Sequence, residues 1–182
     1  MNDFLTKKGV RIFRPDELQK LIKAIPRSLD LIRFETALYT GARFVELQKL
    51  KKHPEFFTGN SIRMTTKKTK AISDERYIQL NERGCRAVKQ FLEQKKRLPA
   101  REGWNASLKR WCKYAGVDPT GVSAKSTRKT WESYLVTSFP SCTPTIFVSQ
   151  GHTGMTSLQF YLTLGFTDDE KQQIKKLTEG WI

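Results

Sequence analysis

Histidine and cysteine are scarce in this chain of 182 residues, which contains two histidines and three cysteines. Cys85, Cys112 and Cys142 lie far apart, form no CxxC pair, and are odd in number. His53 and His152 are too few for a histidine-rich metal cluster. We therefore expect reduced thiols, and neither a disulfide framework nor a zinc site.

Long apolar runs are also missing. The opening residues, MNDFLTKK, do not contain the apolar core of a signal peptide. No later run approaches the roughly 20 apolar residues that a membrane-spanning helix needs. We therefore expect a soluble, cytoplasmic protein, and its length suits one domain with an adequate core.

Acidic residues are outnumbered by basic ones. Lys and Arg total 33 against 18 Asp and Glu, which gives a formal net charge of +15. This excess favours a polyanionic partner, and nucleic acid before a membrane surface. Charge alone does not identify that partner, because many small basic proteins bind nothing specific. The partner has to be identified from the motifs.

The spacing of apolar residues predicts a mainly α fold with a small antiparallel β-sheet (α+β). A helix is expected to begin near Pro15 and a second one to cover residues 29–39, before Gly41 breaks it. Residues 61–66 and 75–80 have strand-like composition, so we expect a hairpin with a basic tip over residues 67–74. Further helices are predicted over residues 82–97, 104–115, 124–138, 143–149, 155–164 and 168–180.

Side chains able to attack a phosphodiester are spread along the chain. Arg43 stands three residues before Glu46, and Lys125 three residues before Arg128, so each pair shares a helix face. Arginine forks match two phosphate oxygens and neutralise charge that grows in the transition state. A phenol such as that of Tyr161 can act as a covalent nucleophile. These groups supply the parts for phosphodiester attack without a metal.

The order of these segments is specific. TGARFVEL contains Arg43, a lysine-rich hairpin tip follows, then KSTRK contains Arg128, and Tyr161 stands nine residues after His152 of a Gly-His pair. From about residue 12 to the end, this series resembles the catalytic domain of the tyrosine recombinases, the integrase family. The resemblance implies that family's catalytic-domain fold over residues 1–182. It also implies that the N-terminal core-binding domain usual in the family is absent from this chain.

The resemblance assigns roles to the residues around the phosphate. It makes Arg43 and Arg128 the phosphate-binding arginines, and Glu46 the acid that orients the cluster. Most family members have histidine where Lys125 stands. Lysine keeps a donor for a phosphate oxygen but replaces a titratable imidazole with a point charge.

Two further roles fall in the last part of the chain. His152, at a glycine-containing turn, is expected to donate to a non-bridging phosphate oxygen. Tyr161 is expected to be the nucleophile, at the edge of the apolar stripe of a predicted helix. Its rival Tyr134 lies too close to Arg128 in sequence, and on the Trp131-Leu135 packing face of the helix predicted over residues 124–138.

The hairpin tip supplies the expected general acid. In the family a lysine at this place protonates the departing 5′-oxygen, which contributes about 10²–10⁴-fold in rate. Lys68 fits the family pattern best, with Lys67 and Lys70 as rivals. Lys67, Lys70 and Lys129 are otherwise expected to contact the DNA backbone.

The resemblance implies site-specific DNA recombination or integration through a 3′-phosphotyrosine intermediate, with no cofactor and no metal. The expected partner is a double-stranded DNA attachment site, bound by a homo-oligomer, a tetramer on DNA and a monomer when free. The KSTRK and FYLTLG segments favour a viral or plasmid integrase of archaeal type. Two alternatives stay open: a DNA-binding module that has lost catalysis, which Lys125 invites, and a type IB-like nicking-closing topoisomerase.

Overall fold

The computed structural model describes residues 5–69 and 72–149. No helix within these two ranges is long and apolar enough to cross a membrane. Their strands and α-helices follow one another in this order: β1 (Leu5–Lys7), β2 (Val10–Ile12), α1 (Pro15–Ala24), α2 (Ser28–Thr40), α3 (Phe44–Lys52), β3 (Ser61–Thr69), β4 (Ile72–Gln79), α4 (Glu82–Glu93), α5 (Arg101–Tyr114), α6 (Ser126–Ser138) and α7 (Thr143–Ser149).

The expected hairpin is present, and its strands are longer than predicted. Strands β3 and β4 pair antiparallel from Ser61 opposite Gln79 to Lys67 opposite Ser73, and the register shifts between Lys67 and Thr69. The polar residues assigned to the tip therefore join the ladder, because strand pairing satisfies backbone groups whatever the side chains are. Residues 70 and 71, between the strands, lie outside the described residues.

The ribbon of β1 and β2 was not predicted. Each strand has three residues, too few for a period-2 pattern to be recognised. A distant contact holds the ribbon, since the Arg11 amide donates to the Gly121 carbonyl at 2.9 Å.

Helix α4 ends earlier than predicted. Lys51 Nζ donates to the carbonyls of Phe91 at 2.6 Å and Leu92 at 2.8 Å, which satisfies the last turn.

Aromatic packing fixes the helices of the main core. Trp104 and Trp111 of α5 meet edge to face at 5.7 Å between ring centroids, and Phe34 of α2 meets Trp111 at 6.4 Å. Phe44, the first residue of α3, lies 6.2 Å from Trp104. The starts of α3 and α5 are therefore held near each other. A smaller cluster of Val136, Ile146 and Phe147 joins α6 to α7.

Helix α6 is unusual because its buried side chains are mostly polar. Trp131 Nε1 donates to the Tyr39 carbonyl at 3.0 Å, and Thr130 Oγ1 accepts from the Phe13 amide at 2.9 Å. The helix is thereby tied to α2 and to the segment after β2. Its buried polar residues are Ser126, Thr127, Arg128, Lys129, Thr130, Glu132 and Ser133.

The close approach of Gly121 to the ribbon gives a test of this architecture. Gly121 has φ +72°, and a Cβ there would lie 2.7 Å from the Gly9 carbonyl oxygen, whereas Gly116 has φ +66° with nothing within 4 Å. Gly116→Ala should therefore cost only the left-handed strain, about 1–2 kcal/mol. Gly121→Ala should lower the free energy of unfolding, measured in urea, by clearly more than Gly116→Ala does, because the ribbon must also move. Equal losses would show that the ribbon does not pack there.

Candidate active site

The Glu46 carboxylate joins the two predicted arginines. Arg43 immediately precedes α3, and Glu46 lies in its first turn. Glu46 Oε2 accepts from the Arg43 amide at 2.6 Å, and Glu46 Oε1 pairs with Arg43 Nη1 at 2.8 Å. Glu46 Oε2 also lies 4.0 Å from Arg128 Nη1. One buried acid therefore orients a half-buried arginine and contacts a fully buried one.

Arg128 is held from the opposite side by the backbone. Its side chain is 2% exposed, and Nη1 donates to the Gly41 carbonyl at 2.9 Å. Gly41 ends α2 with φ 56°, in the left-handed region that glycine adopts without steric cost. The turn after α2 thus places both the Gly41 acceptor and the start of α3 around Arg128.

Arg43 and Arg128 open onto a cavity of about 150 Å³. That volume far exceeds the ~10–15 Å³ that one water needs. Four of the residues around it carry positive charge, and the rest are apolar. Its lining consists of Arg43, Phe44, Val45, Arg101, Ala124, Lys125 and Arg128.

The structure brings some predicted site residues together. Arg43, Lys125 and Arg128 line the cavity, and Glu46 bonds to its wall. Their roles in a reaction stay predictions.

The other predicted residues are placed less completely. Lys67 and Lys68 lie in β3, and Lys68 falls at the shift of register between Lys67 and Thr69. Lys70, His152 and Tyr161 lie outside the described residues.

Lys129 is placed differently from the other predicted DNA contacts. It is 4% exposed, and its Nζ donates to the Lys7 carbonyl of β1. Burial above all, then the nearby charges of Lys125, Lys7 and Lys8, lowers the pKa of Lys129 from 10.5 to about 8. This position favours a role in anchoring the ribbon, and contact with DNA stays a prediction.

Tyr134 does not share the cavity with Arg128. Six residues at about 100° each place it roughly 120° away around α6. Burial raises the pKa of the Tyr134 phenol. Tyr134 therefore lies away from Arg128 around the helix, and Tyr161 stays the predicted nucleophile.

Arg101 is the cavity residue that sequence reasoning missed. It is the first residue of α5, in the order Pro99-Ala100-Arg101, and its side chain is exposed. No motif marks it, because a basic residue at an exposed helix start is common on a chain of this charge. Only the packing of α5 against α3 places it beside Arg43.

Among residues 5–69 and 72–149, no group of three or more His, Cys, Asp and Glu side chains is placed to hold a metal ion. The basic residues of the cavity are instead suited to an anion. Arginine and lysine offer donors and no acceptors, so the complementary group must carry acceptor oxygens. A phosphate or sulfate group has that chemistry.

Comparison with solved structures identifies the fold. XerA recombinase superposes with a TM-score of 0.69 at 15% identity, over 95% of this chain and 66% of that chain. The Tn1549 transposon integrase in complex with circular intermediate DNA gives 0.64 at 16% identity, over 96% of this chain and 68% of that chain. XerH site-specific recombinase, in a post-cleavage complex with palindromic difH substrate, gives 0.66 at 18% identity, over 93% and 53%.

This chain therefore has the fold of a tyrosine recombinase catalytic domain, and the predicted fold is confirmed. The chain spans between 53% and 68% of the length of the three proteins compared. No protein-family model matches it, and a search of curated proteins gives no match.

The lowered pKa of Lys129 predicts a pH dependence of stability. Below pH 8 the amine is protonated in the folded and unfolded chain, and the buried charge costs stability in full. Between about pH 8 and 10.5 the unfolded chain binds the proton and the folded chain does not, so stability rises with pH.

The measurement is the unfolding free energy of wild type minus that of Lys129→Met, which isolates this group from others that titrate in the same range. The difference should be flat from pH 6 to 7 and should move in favour of wild type from pH 8 to 10.5. The exposed Lys109→Met serves as control. A difference that moves the other way would mean that Lys129 is stabilised as a cation.

Proposed function

We propose that this chain carries the catalytic site of a site-specific DNA recombinase or integrase that cleaves and rejoins strands through a 3′-phosphotyrosine. The observation that carries the proposal is the cavity in which Arg43, Lys125 and Arg128 converge, with Glu46 bonded to Arg43 and close to Arg128. The fold adds support, because the comparison structures are named as recombinases and an integrase, two of them solved with DNA.

The cavity's charge matches the demands of phosphoryl transfer. A phosphodiester carries one negative charge, and the pentavalent transition state carries a further one on its equatorial oxygens. Preorganised donors stabilise the second state more than the first, and this difference lowers the barrier. Arg43 and Arg128 are held by bonds to Glu46 and Gly41 before any DNA arrives. Lys125 adds a third cation in place of an imidazole.

Tyr161 supplies the nucleophile in this proposal. Its phenolic oxygen loses a proton and attacks phosphorus, the bond from phosphorus to the 5′-oxygen breaks, and a 3′-phosphotyrosine forms. A free 5′-hydroxyl from the partner duplex then attacks the same phosphorus and releases Tyr161. Bond energy is retained in the covalent link, so this chemistry requires neither ATP nor a metal. His152 donates to a non-bridging oxygen.

Lys68 is the proposed general acid for the departing 5′-oxygen. An alkoxide is a poor leaving group, so a positioned proton donor speeds its departure. Lys68 is preferred to Lys67 and Lys70 because it fits the family pattern best, and its backbone lies at the shift of register between Lys67 and Thr69.

The proposed partner is a double-stranded DNA attachment site, on which four copies of the chain assemble in the host cytoplasm. The formal charge of +15 supports a phosphate-driven affinity that falls steeply with salt. A mobile element of archaeal type, viral or plasmid-borne, remains the proposed source, on the KSTRK and FYLTLG segments.

Replacement of Tyr161 tests the central claim. Tyr161→Phe removes only a hydroxyl, so folding and DNA affinity should be unchanged while protein linked to the 3′ end of supercoiled DNA disappears. Tyr134→Phe is the matched control and should keep the adduct. An undiminished adduct in Tyr161→Phe would refute the assignment.

The same assay separates the alternatives. DNA binding without any adduct in wild type would indicate a module that has lost catalysis. An adduct with relaxation of supercoils, but with no joining between duplexes, would indicate a nicking-closing topoisomerase.

A bridging 5′-sulfur substrate tests the general acid. Arg43→Ala and Arg128→Ala should each cost roughly 3–4 kcal/mol in cleavage, comparable to loss of a preorganised oxyanion donor, on oxygen and sulfur substrates alike. Lys68→Ala should be slow on ordinary DNA and rescued by sulfur, because a thiolate leaves without a proton. Rescue of Lys70→Ala instead would place the acid two residues further on. Rescue of neither would mean that the hairpin lysines only hold DNA.

A further inference from the structure

Arg101 shares the cavity with the predicted phosphate-binding residues. It lies 58 positions after Arg43 and 27 before Arg128 in sequence, yet all three line the same 150 Å³ space. This space brings Arg101 together with the candidate catalytic residues Arg43, Lys125 and Arg128. The proposed reaction assigns no role to Arg101.

Packing explains why Arg101 stands there. Trp104 lies three residues after Arg101 in α5, and Phe44 directly follows Arg43. The Phe44 and Trp104 rings lie 6.2 Å apart between centroids, and both side chains are buried. The contact between these two rings therefore sets the spacing between the Arg43 and Arg101 backbones. The packing of Phe44 against Trp104 thus keeps the start of α5, and with it Arg101, at the cavity.

The charges around the cavity indicate that the Arg101 side chain can bind an anion. Within the described part of the chain, neither Arg101 nor Lys125 has a side-chain hydrogen bond or an ion pair with a carboxylate. Glu46 is engaged by Arg43 and lies next to Arg128. Cations that converge without acids repel one another, and a bound anion relieves that repulsion. An exposed guanidinium beside such a cavity has two or more donors to offer to phosphate oxygens.

We propose that Arg101 is a further phosphate-binding residue, which binds a non-bridging oxygen of the DNA phosphate held by Arg43 and Arg128 and so fixes the strand in the cavity. This inference rests on the proposed function for the identity of the anion. It adds one residue and one contact that the sequence motifs do not contain.

Binding of a 30-base-pair duplex to the full chain tests the role. Fluorescence anisotropy at several salt concentrations, in a Tyr161→Phe background, keeps cleavage out of the measurement. Arg101→Ala should bind about tenfold more weakly at 0.1 M salt and lower the salt slope by about one. Arg101→Lys should keep the slope and recover part of the affinity, because it keeps the charge and loses the fork.

Arg110→Ala is the matched control. Arg110 lies nine residues further along α5, which at about 100° per residue is the opposite face from Arg101. It is exposed and lies outside the cavity. Arg110→Ala should leave both affinity and slope near wild type. Equal behaviour of Arg101→Ala and Arg110→Ala would overturn the proposal, as would a loss of unfolding free energy in Arg101→Ala that accounts for the weaker binding.

A double variant tests whether Arg101 and Arg43 hold the same phosphate. The loss in Arg43→Ala/Arg101→Ala should differ by threefold or more from the product of the single losses, since groups that share a partner are coupled. Losses that multiply would place Arg101 on a separate phosphate and overturn the proposal. Adduct formation by the wild type is scored independently. A chain that binds the duplex but forms no adduct would refute the proposed function while this comparison still decides the role of Arg101.

Discussion

The buried carboxylate of Glu46 is the contact on which the candidate site depends. It bonds to Arg43 through both the amide and the guanidinium, and it lies 4.0 Å from Arg128. Removing one partner of a buried charge pair leaves the other uncompensated, at a cost of about 3–5 kcal/mol. Because Glu46 belongs to the first turn of α3, the fold of that turn and the geometry of the cavity are set together.

Helix α6 also depends on hydrogen bonds between buried polar side chains and remote parts of the chain. Buried polar groups cost stability unless they are hydrogen-bonded, and several side chains of this helix have such partners. Those partners are mainly backbone groups from remote segments: the Gly41 carbonyl for Arg128, the Tyr39 carbonyl for Trp131 and the Phe13 amide for Thr130. The polar helix is thus held by α2 and by the segment after β2. Arg128 of this helix and Lys125, immediately before it, line the cavity.

The fold class and the hairpin could be predicted from the apolar period and the strand composition. Helical spacing paired Arg43 with Glu46 and Lys125 with Arg128, and the family resemblance placed the two pairs at one site. Sequence reasoning did not reach the β1–β2 ribbon, which long-range contacts stabilise. Lys129 and Arg101 show why the rest could not be predicted. Both are basic residues that resemble surface charge in the sequence. Tertiary packing buries Lys129 against Lys7 and brings Arg101 to the cavity.

Under the proposed function, the balance of charge in the cavity explains how one site would both bind DNA and favour its cleavage. Four cations line the cavity and Glu46 is bonded to one of them, Arg43, so the lining residues that the structure describes carry an excess of positive charge. A phosphodiester with one negative charge neutralises only part of this excess, so the repulsion that remains is relieved further when the transition state gains a second charge. Without Glu46, the Arg43 guanidinium would lose the carboxylate that orients it, whereas Arg128 would still be held by the Gly41 carbonyl. A fixed excess of charge stabilises the state with more charge, and this is the condition for catalysis by differential binding.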